Sequence, residues 1–455
     1  VTIRFSSITV EDYKDTMQTN QTLRTLQDVP LITDFPADYA TTQGPFLADM
    51  YAKHGPIFRG NIFGNEWVFM VGPEANRFVL SSSRLKFSHY QGWGIAMGVA
   101  FMLGNGLLTM DGAEHDQHRK TMNPAFTIAY MDRYLPLMNR IIRERTADWV
   151  ARGTVDVYIE ARKIAFDVAA EALMGLHVGA DVDTFRDVFL QLMNLDAVAV
   201  DYGDYGRRQE ALSGQLTQMM LPRLAERRAA PTDDLLSMMI QARDDSGKGM
   251  ADAQIIAHSN ILLLAGHETS TTLISWLLYL LVEHQDYLQR VLDEQAALLA
   301  PDAEPTLDAI KRMRVLDNAL SEAERLYPPV SFGPRGVVED FEFNGYVIPA
   351  GTMVNYSIAA SHRIGSIFHD PEKFDPDRFA PPREEDKTPY ALVGFGGGPR
   401  VCIGMNFATV EMKALVSHIV RHYQLAITPG QQLINGGGVV TAPLNGIKMN
   451  VTART

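Results

Sequence analysis

The chain has 455 residues, of which 46% are hydrophobic and 21% charged, ordinary globular values that exclude a disordered or low-complexity protein. Its net charge of -13 excludes nucleic-acid binding through a general basic surface. One cysteine excludes an intramolecular disulfide framework and permits a reducing compartment. Length alone suggests domains of about 150 residues each, but no Gly/Ser-rich or Pro-rich linker and no repeat divides the sequence. One domain over residues 1–455 is expected.

In chain order, residues 1–16 lack the apolar core of a signal peptide or anchor. Residues 43–54 read as a helix and 57–71 as a hairpin turning at Gly64-Asn65. Helical spacing returns over 73–83. Residues 87–108 read as an irregular apolar loop with Tyr90, Trp93, Met97, Phe101 and Met102; each singly suits a core cover, and together they suit a lid over an apolar pocket. His115 and Arg119 follow at i and i+4 on one helical face, by themselves a solvated surface. Residues 132–247 read as mostly helical with breaks near Gly153, 175–180 and 229–231. Within 185–205, Phe189, Leu190, Leu192, Met193 and Leu195 fit either a pocket roof or ordinary packing.

Residues 251–298 read as two helices with a break near His284-Gln285. The most apolar run, 269–282, falls short of the roughly 20 residues that span a bilayer, and Glu268 and Glu283 bracket it; a buried core helix is expected. In its middle stand Ala265, Gly266, His267, Glu268 and Thr269. Polar groups inside an apolar helix are costly unless used. A zinc protease helix would need a second histidine at 271, where the chain has threonine. From the residues alone, Thr269 back-bonding to Ala265 and Glu268 reaching solvent remain open.

A helix over 313–323 stops at Pro328-Pro329 and carries Glu322 and Arg325 at i and i+3. Arg335 precedes a hairpin, 337–343 and 346–348, with Asn344-Gly345 at its turn, and 352–357 adds a strand. Arg378 lies in the run 374–379. The sequence then reaches Phe395-Gly396-Gly397-Gly398-Pro399-Arg400-Val401-Cys402-Ile403-Gly404, followed by an amphipathic helix to His422. Strands are expected at 423–427, 439–442 and 447–451, with Gly436-Gly437-Gly438 as a flexible turn. Cys402 sits where loop becomes helix, so the unpaired N–H groups of the helix start favour thiolate. The glycines let backbone approach a flat object. Proline at 399 and the lack of a regular β-α-β pattern argue against a dinucleotide site.

This loop resembles the heme-binding loop of the cytochrome P450 family, and Ala265 to Thr269, Glu322 with Arg325, and 374–379 resemble that family's other motifs in the expected order. The resemblance implies a mainly α fold with small antiparallel sheets (57–72, 335–357, 423–453). It implies heme b between the Gly266 helix and the cysteine loop, with Cys402 as axial ligand and Phe395, Gly396 and Gly404 shaping the loop. Arg400, His115, Arg119 and Arg335 would hold the propionates. Ala265 and Gly266 would flank the oxygen site, and Glu268 and Thr269 would relay protons. Glu322, Arg325 and Arg378 would form a buried ion pair serving folding and heme retention. The implied activity is dioxygen-dependent oxidation of a C–H or C=C bond in a hydrophobic small molecule. Electrons would come from a ferredoxin with its reductase or a similar donor, docked near Arg119, Lys120 and Arg400. A soluble, cytoplasmic, bacterial monomer without a transmembrane anchor is expected. The alternatives are a peroxide-driven peroxygenase and a heme gas sensor or carrier; the substrate stays open among terpenoids, fatty acids and polyketides.

Overall fold

The computed structural model describes residues 24–62, 64–193, 202–244 and 246–454. The expectation for residues 1–16 and part of that for 185–205 fall outside them.

A mainly α architecture is built around the helix Asp252–Glu283, which packs on Val157–Met174, Arg314–Leu326 and Met405–His422. Nearly all of its residues from Ile255 to Leu281 are buried, which is why its apolar residues run all round instead of forming one stripe. Among the described residues it is the one helix long and apolar enough to cross a membrane, yet 83% of its most apolar window is buried inside the protein. It is the core helix. His284 ends it, and Gln285–Leu298 starts the next.

The helical core holds Phe166, Leu263, Trp276, Leu316 and Leu415 together. Two smaller apolar clusters, one with Val68, Val354 and Ile348 and one with Leu47, Phe58 and Phe69, line the main sheet. That sheet has six strands in the order Leu31–Ile32, Ile57–Ile62, Asn65–Val71, Met353–Ser357, Phe332–Val337, Phe87–Ser88. It is mixed, not wholly antiparallel: Leu31–Ile32 runs parallel to Ile57–Ile62, and Asn65–Val71 parallel to Met353–Ser357. The smaller sheets are antiparallel, including Tyr423–Ile427 on Lys448–Ala453 and the hairpin Asn435–Gly437 with Thr441–Pro443.

Local readings shift where tertiary contact overrides them. Ile62 pairs with Asn65, so the first hairpin turns one residue earlier than expected and Asn65 is strand. Residues 87–108 are not an irregular loop: they hold a π-helical segment, Tyr90–Ala96, and a short helix, Val99–Leu103. Gly92 lies against the strand Phe332–Val337, where a Cβ would stand 2.3 Å from the Pro334 carbonyl oxygen, and Trp93 stacks on Phe332. That strand itself hides behind Gly333-Pro334, residues that read as a break; Gly333 is needed because the Tyr356 ring occupies its side-chain space. Gly436 and Gly437 are strand, not a flexible turn. The hairpin at Asn344-Gly345 has φ of 50° and 78°, the turn its sequence prescribes.

Candidate active site

The cysteine loop is shaped by its glycines. Gly396 and Gly398 take φ of 73° and 60°, and a Cβ on Gly398 would stand 2.4 Å from the Leu80 carbonyl oxygen. The loop folds back on itself: Gly396 N–H donates to the Val393 carbonyl and Cys402 N–H to that of Phe395, both at 2.8 Å. Phe395 packs on the edge of the helical core. Cys402 Sγ is therefore surrounded by protein and still opens onto internal space. Burial pushes its pKa up, opposed by the Gly404 N–H and Arg119. The helix-start bias toward thiolate is thus outweighed by desolvation, the helix beginning only at Met405. A metal coordinated by Cys402 would favour the thiolate in spite of this burial.

On the central helix, Ala265 is exposed and Gly266 and Thr269 half-buried, while Leu262 to Leu264, His267 and Glu268 are buried. Because the helix crosses the core, this exposure opens inward. Thr269 Oγ1 donates to the Ala265 carbonyl at 2.5 Å. Gly266 faces the neighbouring helix, where a Cβ would meet Ala169 at 3.7 Å, ordinary contact. Glu268 does not reach solvent: it is ion-paired with Arg162 of Val157–Met174. Its neighbour His267 is buried, and burial lowers its pKa to about 4. Ser270, one residue beyond Thr269, lies beside Glu411 of the cysteine helix.

A second group of side chains is cationic. Arg84, His89, Arg335 and Arg400 line a cavity of about 250 Å³ with Asp111 as its only carboxylate. Arg335 is 3% exposed and donates to the adjacent Pro334 carbonyl at 2.7 Å. Arg400 donates to the Met110 carbonyl at 2.6 Å and stands 3.6 Å from Asp111. Burial, then the nearby Arg335 charge, pulls the Arg400 pKa down to about 10. His89 has a buried, unpartnered Nδ1, and burial with the Arg335 and Arg400 charges holds it neutral. His115 is buried with Nδ1 2.9 Å from Asp116. Arg119 donates to the Val401 carbonyl at 2.7 Å, bracing the cysteine loop from the next helix. Arg400 is only 11% exposed, so it cannot form part of an outer docking surface, whereas Lys120 is exposed.

Glu322, Arg325 and Arg378 meet with no exposure at all. Arg325 grips both oxygens of Glu322 at 2.7 and 2.8 Å, and Arg378 Nε adds a bond at 3.1 Å. Glu385, which the sequence did not single out, takes the far side of Arg378 at 2.5 Å. Sequence reasoning also missed His89, Asp111, Arg162, Glu324 and Glu411. A signal existed only for Glu324, one residue before Arg325; it presses on Gly394 and is driven to a pKa of about 7 by burial.

The cytochrome P450 family model matches residues 37–447. The chain belongs to the cytochrome P450 family. A Synechocystis protein named for cytochrome P450 120 is 33% identical over 395 residues, covering 86% of this chain and 88% of that relative. A beta-amyrin 28-monooxygenase of Saponaria officinalis is 28% identical, over 83% and 79% of the two chains. A solved structure of a retinoic acid bound cyanobacterial CYP120A1 superposes with a TM-score of 0.83 at 30% identity, covering 95% of this chain and all of that one. The protein is thus an oxidoreductase of the cytochrome P450 family, a family and fold that bind heme. Its residues fit that group. The inward-opening thiol would serve as a ligand to its iron, and among the described residues the buried cations around Arg335 and Arg400 outnumber their single carboxylate, a surplus that two porphyrin propionates would neutralise.

Proposed function

We propose that this P450 inserts one atom of dioxygen into a C–H or C=C bond of a hydrophobic small molecule, using electrons from a separate protein. The observation that carries this reading is a lone thiol, deep in the protein, opening inward beneath a glycine loop. Heme iron, when bound, would supply reductive activation of dioxygen, with thiolate donation favouring O–O cleavage. Cys402 would be its protein ligand. Arg335 and Arg400, with His115 and Arg119 from the neighbouring helix, would hold the propionates; Phe395, Gly396 and Gly404 would keep the loop narrow.

Thr269, released from the Ala265 carbonyl, would present its hydroxyl to the oxygen site, and Glu268 would deliver protons to it. Ala265 offers little bulk there, and Gly266 lies on the side of the helix that meets Ala169 of Val157–Met174. Glu322, Arg325 and Arg378 would hold the scaffold beneath. The substrate would occupy a cavity of about 570 Å³ lined by Val99, Met102, Leu190, Leu264, Val440 and Leu444, with the terminal hairpin closing one side. Apolar walls, together with relatives named for beta-amyrin and retinoic acid, favour a terpenoid-sized molecule. In the test, reduced heme-loaded protein with carbon monoxide should show the red-shifted Soret band of thiolate ligation, lost in Cys402→Ser. With reductant, an electron donor and dioxygen it should form hydroxylated or epoxidised product; binding without product would overturn the enzymatic reading.

A further inference from the structure

The 570 Å³ cavity has few polar side chains among the described residues. Tyr158, Arg162, Gln191 and Glu268 are its polar side chains, and the rest of its lining is aliphatic, methionine or glycine. Among the described residues, Arg162 and Glu268 are its only charged lining residues. Arg162 donates through Nε, at 3.0 Å, and through Nη2 to the same oxygen, Oε1 of Glu268. This is an end-on pair, short of the two-oxygen fork that guanidinium and carboxylate favour. Both side chains line the cavity, and Arg162, at 24% exposure against 8% for Glu268, is the more accessible of the two. Beside them, His267 is fully buried with no hydrogen-bond partner on either ring nitrogen, and its Nε2 lies 3.4 Å from Glu268 Oε1.

We propose that Arg162 anchors the carboxylate of an otherwise apolar substrate, and that its capture of that carboxylate passes Glu268 to His267. The inference rests on the oxidation proposed above, naming the substrate class for that same site. An incoming carboxylate brings two oxygens to a guanidinium that now uses one, in a cavity whose lining is mostly apolar and where charge-assisted bonds are strong. Glu268 is not stranded, because an unpartnered imidazole nitrogen stands next to it. A neutral substrate leaves the resting pair intact. Acid recognition therefore moves the carboxylate adjacent to Thr269 from Arg162 to His267 only when an acid is bound. The matching ligands are monocarboxylic acids with a large apolar body, either straight-chain or polycyclic.

The test uses heme-loaded protein titrated with hexadecanoic acid against methyl hexadecanoate, and abietic acid against methyl abietate, followed by heme spin state and by calorimetry. In at least one pair the acid should bind tenfold or more tighter than its ester, and the pair that discriminates identifies the chain type. Arg162→Gln should abolish that ratio while ester affinity stays within twofold. Glu268→Gln keeps the anchor and removes its competing anion, so it should tighten acid binding severalfold and leave the ester unchanged; it serves if Arg162→Gln fails to fold. Equal binding of acid and ester in both pairs, a ratio that survives Arg162→Gln, or acid affinity unchanged in Glu268→Gln would each overturn the proposal. Failure of the oxidation reading is seen separately, as absence of oxidised product from esters and acids alike when reductant, electron donor and dioxygen are supplied.

Discussion

Arg378 places its Nε 3.1 Å from Oε1 of Glu322, a residue 56 positions earlier, and neither side chain has any exposure to solvent. Arg325 fills the other side of the same carboxylate. One anion thus answers two guanidinium groups, with Glu385 answering the second from behind. Removing Glu322 leaves both cations less than compensated in the interior. Glu322→Ala is expected to cost about 3–5 kcal/mol, read as a large fall in thermal midpoint and loss of heme absorbance on purification. Lys120→Ala, at an exposed site, should leave both near wild type.

Thr269 spends its hydroxyl on the Ala265 carbonyl in the resting structure. Thr269→Ala removes that hydroxyl without altering bulk packing. It should retain substrate binding and raise the reductant consumed per product severalfold, with the excess appearing as peroxide or water. Glu268→Gln should uncouple in the same direction. Tight coupling in both variants would count against a relay through this pair.

Gly398 combines a left-handed backbone with a carbonyl 2.4 Å from where a Cβ would be. Gly398→Ala should cost about 1–3 kcal/mol from the backbone alone and shift the loop that carries Cys402. The check is a lower thermal midpoint together with a broadened or displaced Soret band, whereas Gly430→Ala, with a similar φ and open space around it, should destabilise without touching the spectrum.

Glu411 is fully buried beside the Ser270 hydroxyl, and burial, which that hydroxyl opposes, pushes its pKa up to about 8. Its folded pKa lies above the unfolded value, so the folded protein binds the extra proton between about pH 4.5 and 8. Stability from this group therefore falls as pH rises through that window, by at most about 1.4 kcal/mol per unit. Glu411→Gln should flatten the decline in thermal midpoint between pH 6 and 8 and be the more stable form at pH 8. Parallel profiles for the two proteins would show that the carboxyl does not titrate there.

Lys120 is exposed on the helix whose Arg119 touches the Val401 carbonyl, one residue from Cys402. An acidic electron donor docking on this face would feel its charge. Lys120→Glu should slow first-electron transfer several-fold at low salt and weaken its salt dependence, measured by stopped-flow reduction under carbon monoxide.

What the sequence determined on its own was whatever lies within a few residues along the chain. The loop Phe395 to Gly404, the run Ala265 to Thr269, the spacing of Glu322 and Arg325 and the turn at Asn344-Gly345 are local patterns, and each could be read before any contact was known. The long apolar helix was equally legible, because a stretch buried all round needs no amphipathic stripe.

Only the tertiary structure decided what those residues face. Arg162 is 106 positions from Glu268, and nothing in its own surroundings marks it as a partner. Glu385 and Glu411 look like surface carboxylates until packing buries them. The π-helical segment over Tyr90–Ala96 and the strand through Gly333-Pro334 defeated local propensity, because each is set by close approach of a distant backbone or ring. The thiol of Cys402 shows the same division. Its helix-start position favours thiolate, but the depth of burial, which the sequence does not carry, reverses the sign.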